Sequence, residues 1–344
     1  MATIAIIGSG MMGSALAFPA RENGHDVRLV GTPLDREIIE HVRKTNQHPK
    51  FDRPFPEGVS SYQIEEIDVA LKGADFVICG VSSFGVEWFA NSVLPILPNG
   101  LPVLSVTKGL QDTPDGKLLC YPDLWRKKLD ELGKDNPLCA IGGPCTSYEL
   151  VAHDQTIVAF CGKNQPVLDM MKRTMQTDYY HIKTTDDVIG IESAVALKNG
   201  YALGVALTIG VNIRRTGNDV LHFNSQAAVF LQASREMRKL IEMQGGGEES
   251  FHVGIGDLYV TVYGGRTRKV GILLGKGLSI DEALNELQGV TLESLVVAAR
   301  VARALKAKAA KGEINIDDFP LLMHVDSIVS EKKPVNIPWD EFVK

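Results

Sequence analysis

Thr3-Ile4-Ala5-Ile6-Ile7-Gly8-Ser9-Gly10-Met11-Met12-Gly13-Ser14-Ala15-Leu16-Ala17-Phe18 decides the fold. The first five residues form a short apolar, β-branched-rich run, the pattern of a parallel strand buried on both faces. A G-x-G-x-x-G follows directly, then a helical pattern, then a second strand at Val27–Val30. Strand, glycine-rich turn, helix and strand in that order make the dinucleotide-binding (Rossmann) fingerprint, which is far more specific than the glycines alone. Gly8 makes the tight turn, Gly10 lets backbone approach a pyrophosphate, and Gly13 allows close helix–strand packing. Ser9, Met11 and Met12 complete the loop and the helix start, where free amides favour phosphate.

Further strand–turn units follow. Phe76–Val81 ends in Ser82-Ser83, Pro102–Val106 ends in Thr107-Lys108-Gly109, and Ala140-Ile141 ends in Gly142-Gly143-Pro144. Ligands of open α/β sheets bind beyond the carboxyl ends of the strands, so Ser82 and Lys108 are placed at that edge. The proline-rich Lys50–Pro56 reads as a loop. At the end of the second strand, Gly31-Thr32 stands where an NAD-binding acid is usual, and the nearest acid is Asp35. Without a carboxylate there, a 2′-phosphate is not repelled. Thr32 and Arg36 can receive it, so NADP(H) is expected to be accepted.

From about Gly190 the pattern changes to long helical periods: Ile191–Ile213, Ser225–Met243, Ser279–Leu287 and Leu292–Lys311. Ser279-Ile-Asp-Glu282 is a capping box. Arg303, Lys306, Lys308 and Lys311 read as a solvated face. The expected architecture is α/β: a Rossmann dinucleotide-binding domain over 1–189, then an all-helical substrate domain over 190–344, with the active site in the cleft between them.

Two stretches of the second half carry chemistry. Lys198 and Asn199 interrupt an otherwise apolar helical run. Burying an ammonium costs several kcal/mol unless it is partnered, and desolvation moves lysine toward proton-transfer chemistry. Farther on, Gly254-Ile-Gly256-Asp257 leads through Thr261 to Gly264-Gly265-Arg266-Thr267-Arg268-Lys269. Glycines read as tight turns and a cationic helix start together suit a phosphate.

Composition narrows the remaining classes. The 344 residues are 44% apolar and 23% charged, ordinary for a globular chain of two domains. A net charge of −6 gives no case for nucleic acid or an anionic membrane. No apolar run reads as a membrane span; Tyr201–Ile213 is too short. No signal peptide is recognised. Five scattered cysteines without a CxxC pair fit reduced, cytoplasmic thiols, and eight histidines without metal-binding spacing give no metal site. Cys145 has no histidine placed to activate it.

Taken together, these residues resemble the NAD(P)-dependent glycerol-3-phosphate dehydrogenases over nearly the whole chain. Gly8-Ser-Gly10-Met-Met-Gly13 is similar to the family's nucleotide loop, Ser105-Val-Thr-Lys108-Gly109 to its S-x-x-K-G, and Gly143-Pro144 with Glu149 to its G-P-x-x-x-x-E. Ala196-Leu-Lys198-Asn199 matches A-L-K-N, Gly256-Asp257-Leu with Thr261 matches G-D-L-x-x-T, and Leu274-Gly-Lys-Gly277 is also similar. The resemblance implies reduction of dihydroxyacetone phosphate to glycerol 3-phosphate with NAD(P)H, in a cytoplasmic homodimer. It implies Lys198 as proton donor, with Lys108 and Asp257 completing the polar cluster. Asn199, Thr261, Arg266 and Thr267 would hold the substrate, with Arg266 on its phosphate, and Glu293 would stand near the nicotinamide. Thr267 departs from the family's Asn, which leaves open a different phosphorylated polyol or ketose. A 3-hydroxy-acid dehydrogenase and a nucleotide-binding protein without turnover are the competing classes.

Overall fold

The computed structural model describes residues 1–287 and 292–344, which divide into two units. The first comprises Met1–Lys108 and Tyr121–Ile191; the second comprises Gly109–Cys120 and Glu192–Lys344.

Ten strands run in chain order: β1 (Thr3–Ile7), β2 (Asp26–Val30), β3 (Val59–Tyr62), β4 (Phe76–Cys79), β5 (Val103–Ser105), β6 (Leu110–Asp112), β7 (Leu118–Cys120), β8 (Leu138–Gly142), β9 (Thr156–Gly162) and β10 (Tyr180–Thr185). Eight form the sheet of the first unit, in the order β10-β9-β8-β5-β4-β1-β2-β3. Every pairing in it is parallel except β8 with β9. The strand order reverses between β1 and β4; at the carboxyl end of β1, Ile7 pairs with Val30 of β2 on one side and Cys79 of β4 on the other. The glycine-rich loop leaves β1 at this switch point, where doubly wound sheets bind ligands. Helices α1 (Met11–Glu22), α2 (Arg36–Thr45), α3 (Ile67–Leu71), α4 (Val86–Trp88), α5 (Tyr121–Glu131), α6 (Ser147–Val151) and α7 (Gln165–Met175) complete the unit. Two apolar cores form, one around Ile4, Ile6, Phe18 and Phe160, the other around Ala5, Ile7, Phe89 and Trp125. Alternate residues of β1 enter different cores, as the two-residue period of a strand requires.

The second unit is built on α8 (Val188–Thr216), α9 (Phe223–Met243), α10 (Glu248–Tyr263), α11 (Gly265–Lys276), α12 (Ile280–Glu286), α13 (Glu293–Ala310) and α14 (Pro320–Val329). Its central helix, α8, is buried almost continuously from Gly190 to Gly210. At 29 residues it is longer than the apolar run suggested, and by length and composition it could cross a bilayer; 83% of that window is buried inside the protein, which marks it as a core helix. It meets α11 backbone to backbone. A Cβ on Gly210 would lie 2.1 Å from the Ile272 carbonyl oxygen, and one on Gly275 would lie 2.2 Å from that of Leu207.

Two expectations need correction. The first concerns the boundary: the described residues of 192–344 form helices and no strand, as expected, but the β6–β7 hairpin of residues 109–120 also joins the second unit. Arg303 holds Asp112 through two hydrogen bonds of 2.8 and 2.9 Å. Arg300 donates to the Leu110 carbonyl at 3.0 Å, Lys311 to that of Asp115 at 2.7 Å, and Gln244 to that of Leu118 at 2.9 Å. The basic face of α13 is therefore not merely solvated. Of the four cations read as solvated, Arg303 and Lys311 grip the hairpin, Lys306 pairs with the buried Asp326 at 2.7 Å, and Lys308 pairs with Glu313 at 3.3 Å. The second correction concerns Gly254 and Gly256, which lie inside α10 rather than in a turn. A Cβ on Gly254 would stand 2.8 Å from the Ala194 Cβ, so this glycine lets α10 close onto α8.

The start of α14 rests on one buried carboxylate. Glu236, 1% exposed, accepts the Leu321 and Leu322 amides at 2.8 and 3.0 Å and the Gln232 amide at 2.9 Å. Burial nonetheless pushes its carboxyl up to about 7. The folded state thus binds the Glu236 proton more tightly than the unfolded chain does. This group's contribution to stability is complete below the unfolded value of 4.5 and declines as pH rises toward about 7. Relative to Glu236→Gln, the wild type is expected to lose about 3 kcal/mol of unfolding free energy between pH 4.5 and 8. Urea unfolding of both proteins across that range checks it; a constant difference would mean that Glu236 stays ionised when folded.

Candidate active site

In the first unit the glycines divide by what surrounds them. Gly8 has a φ of +108° and touches β4's end: a Cβ there would lie 2.8 Å from the Gly80 carbonyl carbon. A Cβ on Gly13 would lie 2.2 Å from the Gly8 carbonyl oxygen. Both are glycine because the protein's own backbone fills the space. Gly10 is different. Its φ of −67° and ψ of 176° suit any residue, and the nearest atom to a Cβ would be the Gly80 oxygen, 3.9 Å away. Nothing inside the chain demands glycine there, so the open side of Gly10, at the start of the 12-residue α1, fits the close approach of a dinucleotide pyrophosphate. Ser9 is fully buried and its Oγ has no hydrogen-bond partner in the structure. Met11 and Met12 are half-buried in the first turn of α1.

The β2–α2 connection corrects the expectation that no carboxylate serves this edge. Asp35 folds back so that one oxygen accepts the Thr32 amide at 2.9 Å, the Thr32 hydroxyl at 2.8 Å and the Ser9 amide at 3.3 Å. The chain turns after Thr32, which brings an acid five residues beyond Val30 against the nucleotide loop. Arg36 is exposed and held by Glu65, which raises its pKa by direct hydrogen bonding. It reaches a 2′-phosphate only by exchanging that partner.

Lys108 follows β5 and is half-buried, with Nζ donating to the Gly143 carbonyl at 3.2 Å. A cavity of about 20 Å³, room for one water, is lined by Met12, Lys108, Gly143, Cys145 and Tyr180 among others. The helix start, the strand-end lysine and the Gly-Gly-Pro turn therefore meet at one edge of the sheet. Ser82 is exposed and precedes a short turn after β4 without a side-chain capping bond. Cys79 and Cys139 have thiols pushed up to about 12 by burial, and so are inert.

In the second unit, Lys198 of α8 and Asp257 of α10 form a buried ion pair; Lys198 is 9% exposed and Asp257 0%. The close approach at Gly254 and Ala194, about one turn earlier on both helices, sets the spacing for this pair. Asn199 is also buried, at 9%. Thr261 donates its hydroxyl to the Asp257 carbonyl at 2.7 Å, the next turn of the same helix. The glycine pair Gly264-Gly265 then breaks the chain between α10 and α11, with Gly265 at a φ of +81° that favours glycine. Arg266 is exposed in the first turn of α11, beside free amides, while Thr267 is buried at 8% exposure. This combination of cation and helix N-terminus suits a phosphate. Glu293 is the first residue of α13. Among the described residues, no group of three or more His, Cys, Asp or Glu side chains gathers in a way that could hold a metal.

The sequence reading missed the roles of Gly80 and Asp35 in shaping the nucleotide loop. Gly80, directly after β4, was a visible signal; the return of Asp35 was not.

A two-unit chain with a dinucleotide-binding sheet and a helical unit carrying a buried lysine has the form of a nicotinamide-dependent dehydrogenase. Comparison with known proteins makes this specific. Residues 3–167 match the NAD-dependent glycerol-3-phosphate dehydrogenase N-terminus, and residues 187–339 match the C-terminus of the same family. The chain is 36% identical over 288 residues to the NADP(+)-dependent glycerol-3-phosphate dehydrogenase of Archaeoglobus fulgidus, covering 83% of each. It is 27% identical over 343 residues to the glycerol-3-phosphate dehydrogenase [NAD(P)+] of Leuconostoc citreum, covering 98% of this chain and 95% of that one. The crystal structure of glycerol-3-phosphate dehydrogenase from Coxiella burnetii shares the fold, with a TM-score of 0.79 at 24% identity, covering 99% of this chain and 98% of that one. The chain belongs to the NAD(P)-dependent glycerol-3-phosphate dehydrogenase family.

The contrast among the glycines gives a direct test. Gly10→Ala is expected to leave stability within about 0.5 kcal/mol of wild type while raising the dinucleotide Kd at least about tenfold. Gly13→Ala is expected to unfold the first unit or cost several kcal/mol. Thermal melts with nucleotide titrations decide; unchanged nucleotide affinity in Gly10→Ala would remove the loop from the binding site.

Proposed function

We infer that the chain is an oxidoreductase that reduces dihydroxyacetone phosphate to glycerol 3-phosphate with NADH or NADPH. The observation that carries this reading is the buried Lys198–Asp257 pair on helices α8 and α10, followed one helix later by a cationic N-terminus. Family membership and the names of the relatives support it.

A bound reduced nicotinamide supplies the hydride. The chain's own residues do the rest. Lys198, held by Asp257, donates its proton to the oxygen at C2 as negative charge develops there, an acid role that supplies about 10²–10⁴ in rate. The carbonyl becomes a secondary alcohol and Lys198 regains its proton from solvent. Asp257 fixes the ammonium in a region where an unpartnered cation would be costly. Arg266 and the first amides of α11 bind the substrate phosphate, and Asn199 and Thr261 orient the polyol. This remote binding energy aligns the reacting carbonyl. Lys108 acts as a further cation toward substrate. Gly8 to Gly13 hold the dinucleotide, with Thr32, Arg36, Ser82 and Glu293 as additional nucleotide contacts. Thr267 in place of Asn is taken as a change in how the phosphate end is held. The reading takes the enzyme as a cytoplasmic homodimer, on the strength of the family resemblance.

NADPH and NADH oxidation with dihydroxyacetone phosphate is the test. Wild type is expected to turn over, and Lys198→Ala to lose at least about 10²-fold in kcat with nucleotide binding kept. Tight nucleotide binding in wild type without turnover of this ketone would point to another phosphorylated substrate.

A further inference from the structure

The outer edge of the nucleotide sheet brings two segments together. Val30 at the end of β2 pairs with Tyr62 at the end of β3, and the Gly31 amide donates to the Tyr62 carbonyl at 2.9 Å. The chain after Tyr62 therefore emerges beside the residues that follow Gly31. The usual place for an acid that binds an adenosine ribose, the end of β2, is closed. A Cβ on Gly31 would lie 2.7 Å from Ile39 Cγ1, so an acidic side chain there would push against α2. One oxygen of Asp35, the nearest acid beyond the strand, takes three donors from Thr32 and Ser9.

The same edge presents a cation with a partner. Arg36 is the first residue of α2, and Glu65 lies on the short turn Ile64–Glu66 that follows β3. They form a two-point pair: Arg36 Nη1 donates to one carboxylate oxygen at 3.3 Å and Nη2 donates to the other. Both side chains are more than half exposed, at 54% and 58%. The turn that carries Glu65 is itself tied to α2. Gln63 Nε2 donates to the Arg36 carbonyl at 3.2 Å and to Glu40 at 3.0 Å. Arg43 donates to the Ser61 carbonyl at 3.2 Å and to Glu66, which also accepts the Gln63 amide at 2.7 Å. Glu65 is therefore a fixed neighbour of Arg36.

An arginine near the end of β2 is the group that accommodates a 2′-phosphate in this kind of sheet. A carboxylate and a phosphate compete for the same planar fork of N–H donors. NADPH must displace Glu65 from that fork and bring its phosphate close to the displaced carboxylate. NADH carries a hydroxyl at this position and leaves the pair intact. We propose that Glu65 sets the nucleotide preference: it occupies the Arg36 fork and so weakens NADPH relative to NADH. This inference rests on the functional reading above. Glu65 takes no part in the chemical step, and its effect is confined to the adenosine end of the nucleotide.

Titrations with NADPH, NADH and adenosine 2′,5′-bisphosphate test it, on wild type, Glu65→Gln, Arg36→Gln and the double variant. The bisphosphate carries the 2′-phosphate without the nicotinamide and so reads this end alone. Glu65→Gln is expected to lower the Kd for NADPH and for the bisphosphate about fivefold, the size of one exposed ion pair, and to leave that for NADH within about twofold. In the Arg36→Gln background the same change should shift no Kd by more than about twofold. Glu37→Gln removes an exposed charge from the first turn of α2 and controls for bulk electrostatics; it should leave the NADPH-to-NADH ratio within about twofold. All these positions are exposed, and thermal melts close to wild type are expected. An unchanged ratio in Glu65→Gln would overturn the proposal while leaving the enzyme reading intact. So would an equal gain in the Arg36→Gln background or from Glu37→Gln. Wild type that binds neither nucleotide would overturn the enzyme reading and the proposal with it.

Discussion

A lysine ammonium and an aspartate carboxylate share the interior of a helical unit, and the arrangement of that unit follows from the need to keep them together. Removing either partner strands a buried charge, at about 3–5 kcal/mol. Well-packed apolar residues would stabilise the helices as well or better, so the pair is poor evidence of stability for its own sake. It imposes conditions on its surroundings. Helices α8 and α10 must approach closely enough for the Lys198 side chain to reach Asp257, which Gly254 against Ala194 permits. Helix α8 must be fixed in turn, and its backbone-to-backbone contact with α11 through Gly210 and Gly275 does this. That second contact also fixes the helix whose first turn carries Arg266. One set of small residues thus sets both the Lys198–Asp257 pair and the cationic start of α11.

The nucleotide unit works by a different constraint. Its loop is shaped by backbone atoms touching backbone atoms at Gly8, Gly13 and Gly80, and the amide of its middle residue, Ser9, is held by Asp35 from the β2–α2 connection. Rigid support of this kind keeps amides oriented before a ligand arrives, which lowers the cost of ordering them on binding.

The first unit was largely legible in the sequence because its signals are local. β1, its glycines and β2 lie within about thirty residues, and the apolar runs of β4 and β5 end in recognisable turns. The buried lysine was legible for the opposite reason: a cation inside a long apolar helical run has few explanations. What escaped the sequence depends on distant partners. Arg303 and Asp112, 191 residues apart, dock the β6–β7 hairpin into the helical unit, and nothing local marks either residue for that role. Gly254 looked like turn chemistry because glycine's two uses, backbone freedom and close packing, cannot be told apart without the neighbouring helix. Asp35 looked remote from the nucleotide loop because its return depends on the turn after Thr32.

A crystal structure of the enzyme with NADPH and dihydroxyacetone phosphate tests the central claim most directly. The account predicts the substrate's C2 oxygen within hydrogen-bond reach, about 3 Å, of Lys198 Nζ, with Asp257 still on the ammonium and the phosphate on Arg266 and the first amides of α11. A substrate whose phosphate sits away from Gly265–Thr267, or whose carbonyl lies beyond the reach of Lys198, would contradict it.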